Sequence, residues 1–291
     1  MRITSTISRR QEFAADRIAV ERTGRDVYAG ALRRIHAYAP AFDAYWAQEV
    51  VPVLEQRRRP PVASGFAAFI RAEAVEQKAE EGVERELREV KTDPYDSHPS
   101  LSQRLGALAG AEPGAPDGSP HAAELVEDLP ALERDVFETL FGPEAGEALQ
   151  PVDWTEVGNE VYLTRARGLV EAFPEVLEGV TGESFGEAVT GAQERVPAVR
   201  RREPDATFED AADVVLAVLR DGLLVALADN GWEVSAELVE PVRCRRDGQE
   251  VQPSKVVGEL LDGDLVVAAW AERARALGIG GLALAAPVAA T

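Results

Sequence analysis

Residues 8–24 read SRRQEFAADRIAVERTG, and the reading of this stretch organises the first hundred residues. Ser8 followed by Gln11 is a capping-box pattern and Gly24 a C-terminal stop, so the spacing predicts a first helix over 9–23. On a 3.6-residue period Glu12, Ala15, Asp16 and Ala19 share one face. Two carboxylates one turn apart on a strip otherwise made of alanine raise the question of what they serve.

Working outward, a second helix is predicted from Asp26 to Tyr38, stopping before Pro40. A third carries the aromatic-rich face of Phe42, Tyr45, Trp46, Val50, Val53 and Leu54, and Pro52 is expected to kink or end it. Arg57 to Arg59 with Pro60 and Pro61 read as a solvated connection. Ser64 is placed as the cap of a long charged helix from Phe66 to about Val90. TDPYDS, residues 92–97, is turn chemistry, and His98-Pro99 leads into a short helix with Ser100 and Gln103 as a second capping box. The Pro, Gly and Asp content of AGAEPGAPDGSP, residues 109–120, marks a boundary. The expected organisation is a helical domain over 1–110, a linker over 111–120, and an acidic accessory domain over 121–291.

That accessory domain reads as helical to about 205 and α+β beyond. A helix over 213–228 closes at Asn230-Gly231, 232–245 has strand character, and Asp247-Gly248 is a hairpin signal before Gln249 to Val251. Helices follow from about Ser254 and Asp264, and GIGGLAL reads as a turn into a terminal strand. The fold class is therefore mainly α in the N-terminal half and α+β in the C-terminal half. Trp154 and Trp232 are expected as packing anchors.

A formal charge of −20 argues against a nucleic-acid groove, which needs clustered Lys and Arg. The single Cys244 excludes an internal disulfide and any cysteine-rich metal cluster. It also lacks a neighbouring His to make it a nucleophile. Neither GxxxxGK[ST] nor GxGxxG is present, so no phosphate loop is legible. No apolar run reaches the roughly 18 to 20 residues of a bilayer span. As written the chain reads as cytoplasmic, and as membrane-associated if apolar spans precede it.

The carboxylate pair has a chemical reading. A peptidase-type zinc takes two His from one HExxH helix and a third ligand from another helix; a Glu suits that role, with an Asp four residues on to orient a ligand. Small Ala15 and Ala19 let a second helix approach. SRRQEFAADRIA resembles the third-ligand helix of the HtpX-like and CAAX prenyl-endopeptidase-like zinc metallopeptidases, metallopeptidase family forty-eight. SHPSLSQRLGAL, residues 97–108, resembles that family's His-Pro-x-x-x-x-Arg segment, in the expected order. The resemblance implies that Glu12 is a zinc ligand, Asp16 a carboxylate behind the ligands, and His98 and Arg104 residues of the catalytic cleft. It also implies a protein or peptide substrate. His36 and His121 match nothing in the pattern and read as packed or exposed neutral imidazoles.

The departure from the family is severe. His occurs only at positions 36, 98 and 121, so no HExxH is present, and one carboxylate cannot hold a catalytic zinc. The expectation is a truncated or degenerate zinc metalloendopeptidase, inactive and metal-free as this chain alone. Either its start lies too late or it is a remnant with a structural role. The alternative is a non-catalytic helical interaction or scaffold protein in which Glu12 and Asp16 are a plain polar pair.

Overall fold

The computed structural model describes residues 2–88, 98–115, 118, 122–144 and 148–284, with side chains described from Ser8 onward and not at position 123. The chain forms two compact units, one of Met1–Val51 with Val62–Glu147, the other of Pro52–Pro61 with Ala148–Thr291.

In the first unit α1 (Arg2–Thr23) and α2 (Arg25–Tyr45) meet at Gly24. Helix α1 begins before Ser8, so the expected cap lies inside the helix. Gly24 stops α1 as expected, with φ of +83°. A second glycine lies against this turn: a Cβ on Gly24 would stand 2.4 Å from the Cα of Gly114, itself at φ +81°. The first two N–H groups of α2, orphans in any helix, donate to Glu112 O at 2.9 Å and Pro113 O at 3.1 Å. Residues 112–114, whose composition reads as a linker, thus seal a helix terminus. Of the rest of that stretch, 116, 117, 119 and 120 lie outside the described residues.

Helix α2 does not stop before Pro40. The proline sits inside it, and the path continues through a π-helical turn, Trp46–Val50, into α3 (Val51–Glu55). Pro40 forfeits its helical hydrogen bond, but Ala41 and Tyr45, one turn apart just beyond it, are buried. Tyr45 packs on Phe69 at 5.3 Å and donates its hydroxyl to Val62 O at 3.0 Å. Pro52 falls in the first turn after the wider π segment without ending the helix. The long charged helix expected from Phe66 is two: α4 (Val62–Phe69), which contains Ser64, and α5 (Glu73–Arg88). Tight i→i−3 bonds at Arg71 and Ala72 separate them. Phe69 is held on Tyr45, and Ala79 and Val83 are buried on α5.

Helix α6 (Leu101–Ala107) has the capping box that SHPSLSQ predicts: Gln103 N donates to Ser100 Oγ, and Ser100 N to Gln103 Oε1. Val20, Leu32, Val83, Leu101 and Leu108 form the core joining α1, α2, α5 and α6. Helix α7 (Leu129–Phe141) is capped by Asp128, and its Phe137 stacks on Trp46 at 6.2 Å. The segment TDPYDS and Val90 lie outside the described residues.

In the second unit β1 (Arg58–Arg59) pairs in parallel with β2 (Gln150–Pro151). The basic stretch expected as a solvated connection is therefore packed: Trp154 Nε1 donates to Pro61 O at 3.0 Å, and Arg58 pairs with Glu160 at 2.9 Å. Helices α8 (Thr164–Ala172), α9 (Phe185–Thr190) and α10 (Val196–Arg202) surround α11 (Phe208–Asp229). Helix α11 begins earlier than expected, because Thr207 caps it by accepting from Asp210 N at 3.1 Å. From Val218 to Leu227 nearly every residue of α11 is buried, the pattern of a central helix.

The expected single strand over 232–245 is two, β3 (Glu233–Ser235) and β4 (Arg243–Arg246), which with β5 (Gln249–Val251) make an antiparallel sheet in the order β3-β4-β5. Asp247 and Gly248, both at positive φ, form the hairpin turn. Helices α12 (Pro253–Asp262) and α13 (Val267–Ala276) complete the unit. Near the end of the described residues, Thr181 and Ala283 make an isolated bridge; residues 285–291, into which the expected terminal strand would run, lie outside the described residues. The fold is mainly α, with its three-stranded sheet in the C-terminal half. No helix among the described residues is long and apolar enough to cross a membrane.

Candidate functional site

The four residues singled out in the sequence lie together in the first unit. Helix α1 brings Glu12 and Asp16, and the capping box of α6 fixes His98 just before the helix and Arg104 within it. His98 Nδ1 and Glu12 Oε1 are hydrogen-bonded, and Arg104 Nη1 stands 3.9 Å from Glu12 Oε2. Arg104 grips Asp16 through both carboxylate oxygens, Nε to Oδ2 at 3.0 Å and Nη2 to Oδ1 at 2.6 Å. Such bidentate, charge-assisted pairing fixes orientation as well as charge.

Asp16 is one of two buried charged residues among those described, at 1% exposure, whereas Glu12 is half-buried beside it. Pointing one turn apart, they serve different ends: Asp16 ties α1 to α6, and Glu12 stands at the surface end of the same network. Ala15 is exposed and Ala19 half-buried, so the strip of α1 beside Glu12 is only partly covered.

Tyr28, on α2, completes the network. Its hydroxyl donates to Asp16 Oδ1 at 2.5 Å and accepts from Arg104 Nη2 at 3.2 Å. No local pattern signals it, since the residue meets Asp16 only because α1 and α2 fold back on each other at Gly24. Burial pushes the Asp16 carboxyl up, but the bonds from Arg104 and Tyr28 and the guanidinium charge outweigh it and hold the carboxyl below its ordinary value. Burial and then Asp16 raise the Tyr28 phenol. The bond to Asp16 holds the Arg104 guanidinium firmly charged.

His36 lies outside this cluster and pairs with Glu86 at 3.1 Å; His121 is outside the described residues. Cys244 is fully buried, and burial alone pushes its thiol up to about 12, so it is no nucleophile. Trp232 is buried in the second unit's core, and Trp154 packs against Val53, Val152, Val157 and Val161.

Zinc would need more than this cluster supplies. Asp16 is engaged at both oxygens, leaving the Glu12 carboxylate and the His98 imidazole, fewer than the three protein ligands of a catalytic zinc. Among the described residues no group of three or more His, Cys, Asp or Glu is placed to hold a metal ion. The residues present do not by themselves fit the ion.

No curated protein and no solved structure matches the chain. Residues 1–112 match the sequence model for peptidase family M48, a family of zinc-dependent peptidases that act on proteins or peptides. The match ends before α7 and takes in the whole Glu12, Asp16, Tyr28, His98 and Arg104 network. By that match the N-terminal 112 residues of this chain are M48-metallopeptidase-like.

Proposed function

We propose that the N-terminal unit is the third-ligand half of an M48-type zinc metalloendopeptidase site, inactive in peptide hydrolysis on its own. In this reading Glu12 is the carboxylate offered to the metal, and the two imidazoles and the general base come from an HExxH helix outside residues 1–291. Asp16, Arg104 and Tyr28 lock α1 to α6 and α2, so that Glu12 is presented at a fixed position. The strip of small residues with exposed Ala15 and half-buried Ala19 is where the incoming helix packs. The observation that carries the reading is that Arg104 pairs with buried Asp16 and also stands 3.9 Å from the carboxylate of Glu12, which bonds His98.

The test is complementation. The chain is co-expressed with the HExxH-bearing segment of an M48 peptidase, and casein cleavage is measured for the wild type and for Glu12→Ala. Restored cleavage that falls at least about a hundredfold in the variant is expected, the scale of losing a metal ligand or its support. Unchanged cleavage in the variant removes the ligand assignment.

One observation favours a second reading, a non-catalytic helical scaffold. Every carboxylate oxygen of the cluster already faces a cation or hydrogen-bond donor within the chain, as a purely structural clamp requires. On that reading Glu12→Gln lowers the stability of the first unit, and complementation never yields cleavage.

A further inference from the structure

Away from the Glu12 site, the first unit carries an apolar groove of about 680 Å3 between α2, α4 and α7. Its floor is aromatic, with Phe42 edge-on to Phe66 at 5.1 Å and Phe137 stacked on Trp46. One wall is α7, where Leu132, Val136 and Leu140 follow at i, i+4 and i+8 and stand 47, 48 and 62% exposed, with Phe42 opposite at 40%. Exposed apolar side chains scattered singly need no explanation, but a contiguous patch marks an interaction surface. The 13-residue α7 runs about 20 Å at about 1.5 Å per residue, the reach of three to four helical turns.

The charge around the groove selects among occupants. Asp43 and Glu133 stand among its lining residues. Helix α7 adds Asp135 and Glu138 against a single Arg134, with Asp128 at its cap, in a chain of formal charge −20. A second copy seated two-fold on this face would bring the same acidic walls together, at a cost in like-charge repulsion. An anionic lipid surface is repelled for the same reason. A helix whose apolar stripe enters the groove and whose flanks carry Lys and Arg satisfies both demands, the helix-in-groove mode of recognition. We infer that this groove is a docking site for a cationic amphipathic helix of a partner protein.

The test uses a fluorescein-labelled 14-residue Leu/Lys peptide of amphipathic helical pattern, titrated by anisotropy with the full chain. Its controls are the same composition in scrambled order, a Leu/Glu peptide of identical pattern, and vesicles of phosphatidylserine and phosphatidylcholine. The chain variant is Leu132→Ser/Leu140→Ser, which keeps every charge and changes two exposed positions, with folding checked by circular dichroism. Saturable binding of the Leu/Lys helix is expected, at least about tenfold weaker for the scrambled peptide and for the variant, and absent for the Leu/Glu peptide. Equal binding of the scrambled peptide, or binding unaffected in the variant, means unspecific attraction to an acidic chain and overturns the inference. No binding, vesicle binding that the variant abolishes, or a wild-type dimer in sedimentation that the variant dissolves, overturns it as well.

Discussion

Replacing Arg104 by Met tests the polar network that joins α1, α2 and α6. The substitution keeps the length and apolar body of the side chain but removes bonds to Asp16 at 2.6 and 3.0 Å and to the Tyr28 hydroxyl at 3.2 Å. It leaves Asp16, at 1% exposure, with Tyr28 as its one remaining donor in the network. Removing one partner of a buried pair costs about 3–5 kcal/mol, because the other charge stays buried without compensation. Arg104 itself is 19% exposed, so water reaches its vacated place, and the expected loss is at the lower end, about 3 kcal/mol.

Hydrogen exchange read by mass spectrometry resolves this loss unit by unit. At about 1.4 kcal/mol per tenfold, protection of the α1 and α6 amides falls by about a hundredfold, while α11 in the other unit is unchanged. Asp16→Leu/Arg104→Met, which removes both partners, is expected to recover most of the loss. A fall of less than about threefold in α1 and α6 for Arg104→Met, or an equal fall in α11, refutes the view that this pair holds the first unit together.

Three further outcomes follow from the same structure. The Asp16 carboxyl is held below its ordinary value in the fold, so near and below pH of about 4 the unfolded chain binds the extra proton. Stability from this group is complete above that pH and is lost as pH falls through the folded value; acid titration of α1 and α6 protection checks this, and Asp16→Asn flattens the profile. Gly114→Ala introduces a Cβ 2.5 Å from the Gly24 Cα at φ +81°, and thermal unfolding is expected to show a loss of at least about 2 kcal/mol from strain and displaced backbone together. Cys244, buried with its thiol pushed up to about 12, is expected to react with a disulfide reagent such as dithionitrobenzoate only on unfolding, which native and urea time courses distinguish.

The sequence by itself determined the local elements whose signals are complete within a turn or two. Gly24 as a helix stop, the Ser100/Gln103 capping box and the Asp247-Gly248 hairpin depend on backbone groups satisfied by neighbours a few residues away. The residues of the site were legible for a related reason: Glu12 and Asp16 share a helix face by period alone, and His98 and Arg104 are tied to each other through α6. Tertiary structure decided the rest. Pro40 sits in a helix because buried Ala41 and Tyr45 offset its lost bond, and residues 112–114 are ordered by the open end of α2. Tyr28 reaches Asp16 because two glycines far apart in sequence meet without a Cβ between them. Local propensity is worth a few tenths to about one kcal/mol per residue, whereas burial of a single large side chain is worth about 1.5–3. Wherever the two disagreed in this chain, packing set the outcome.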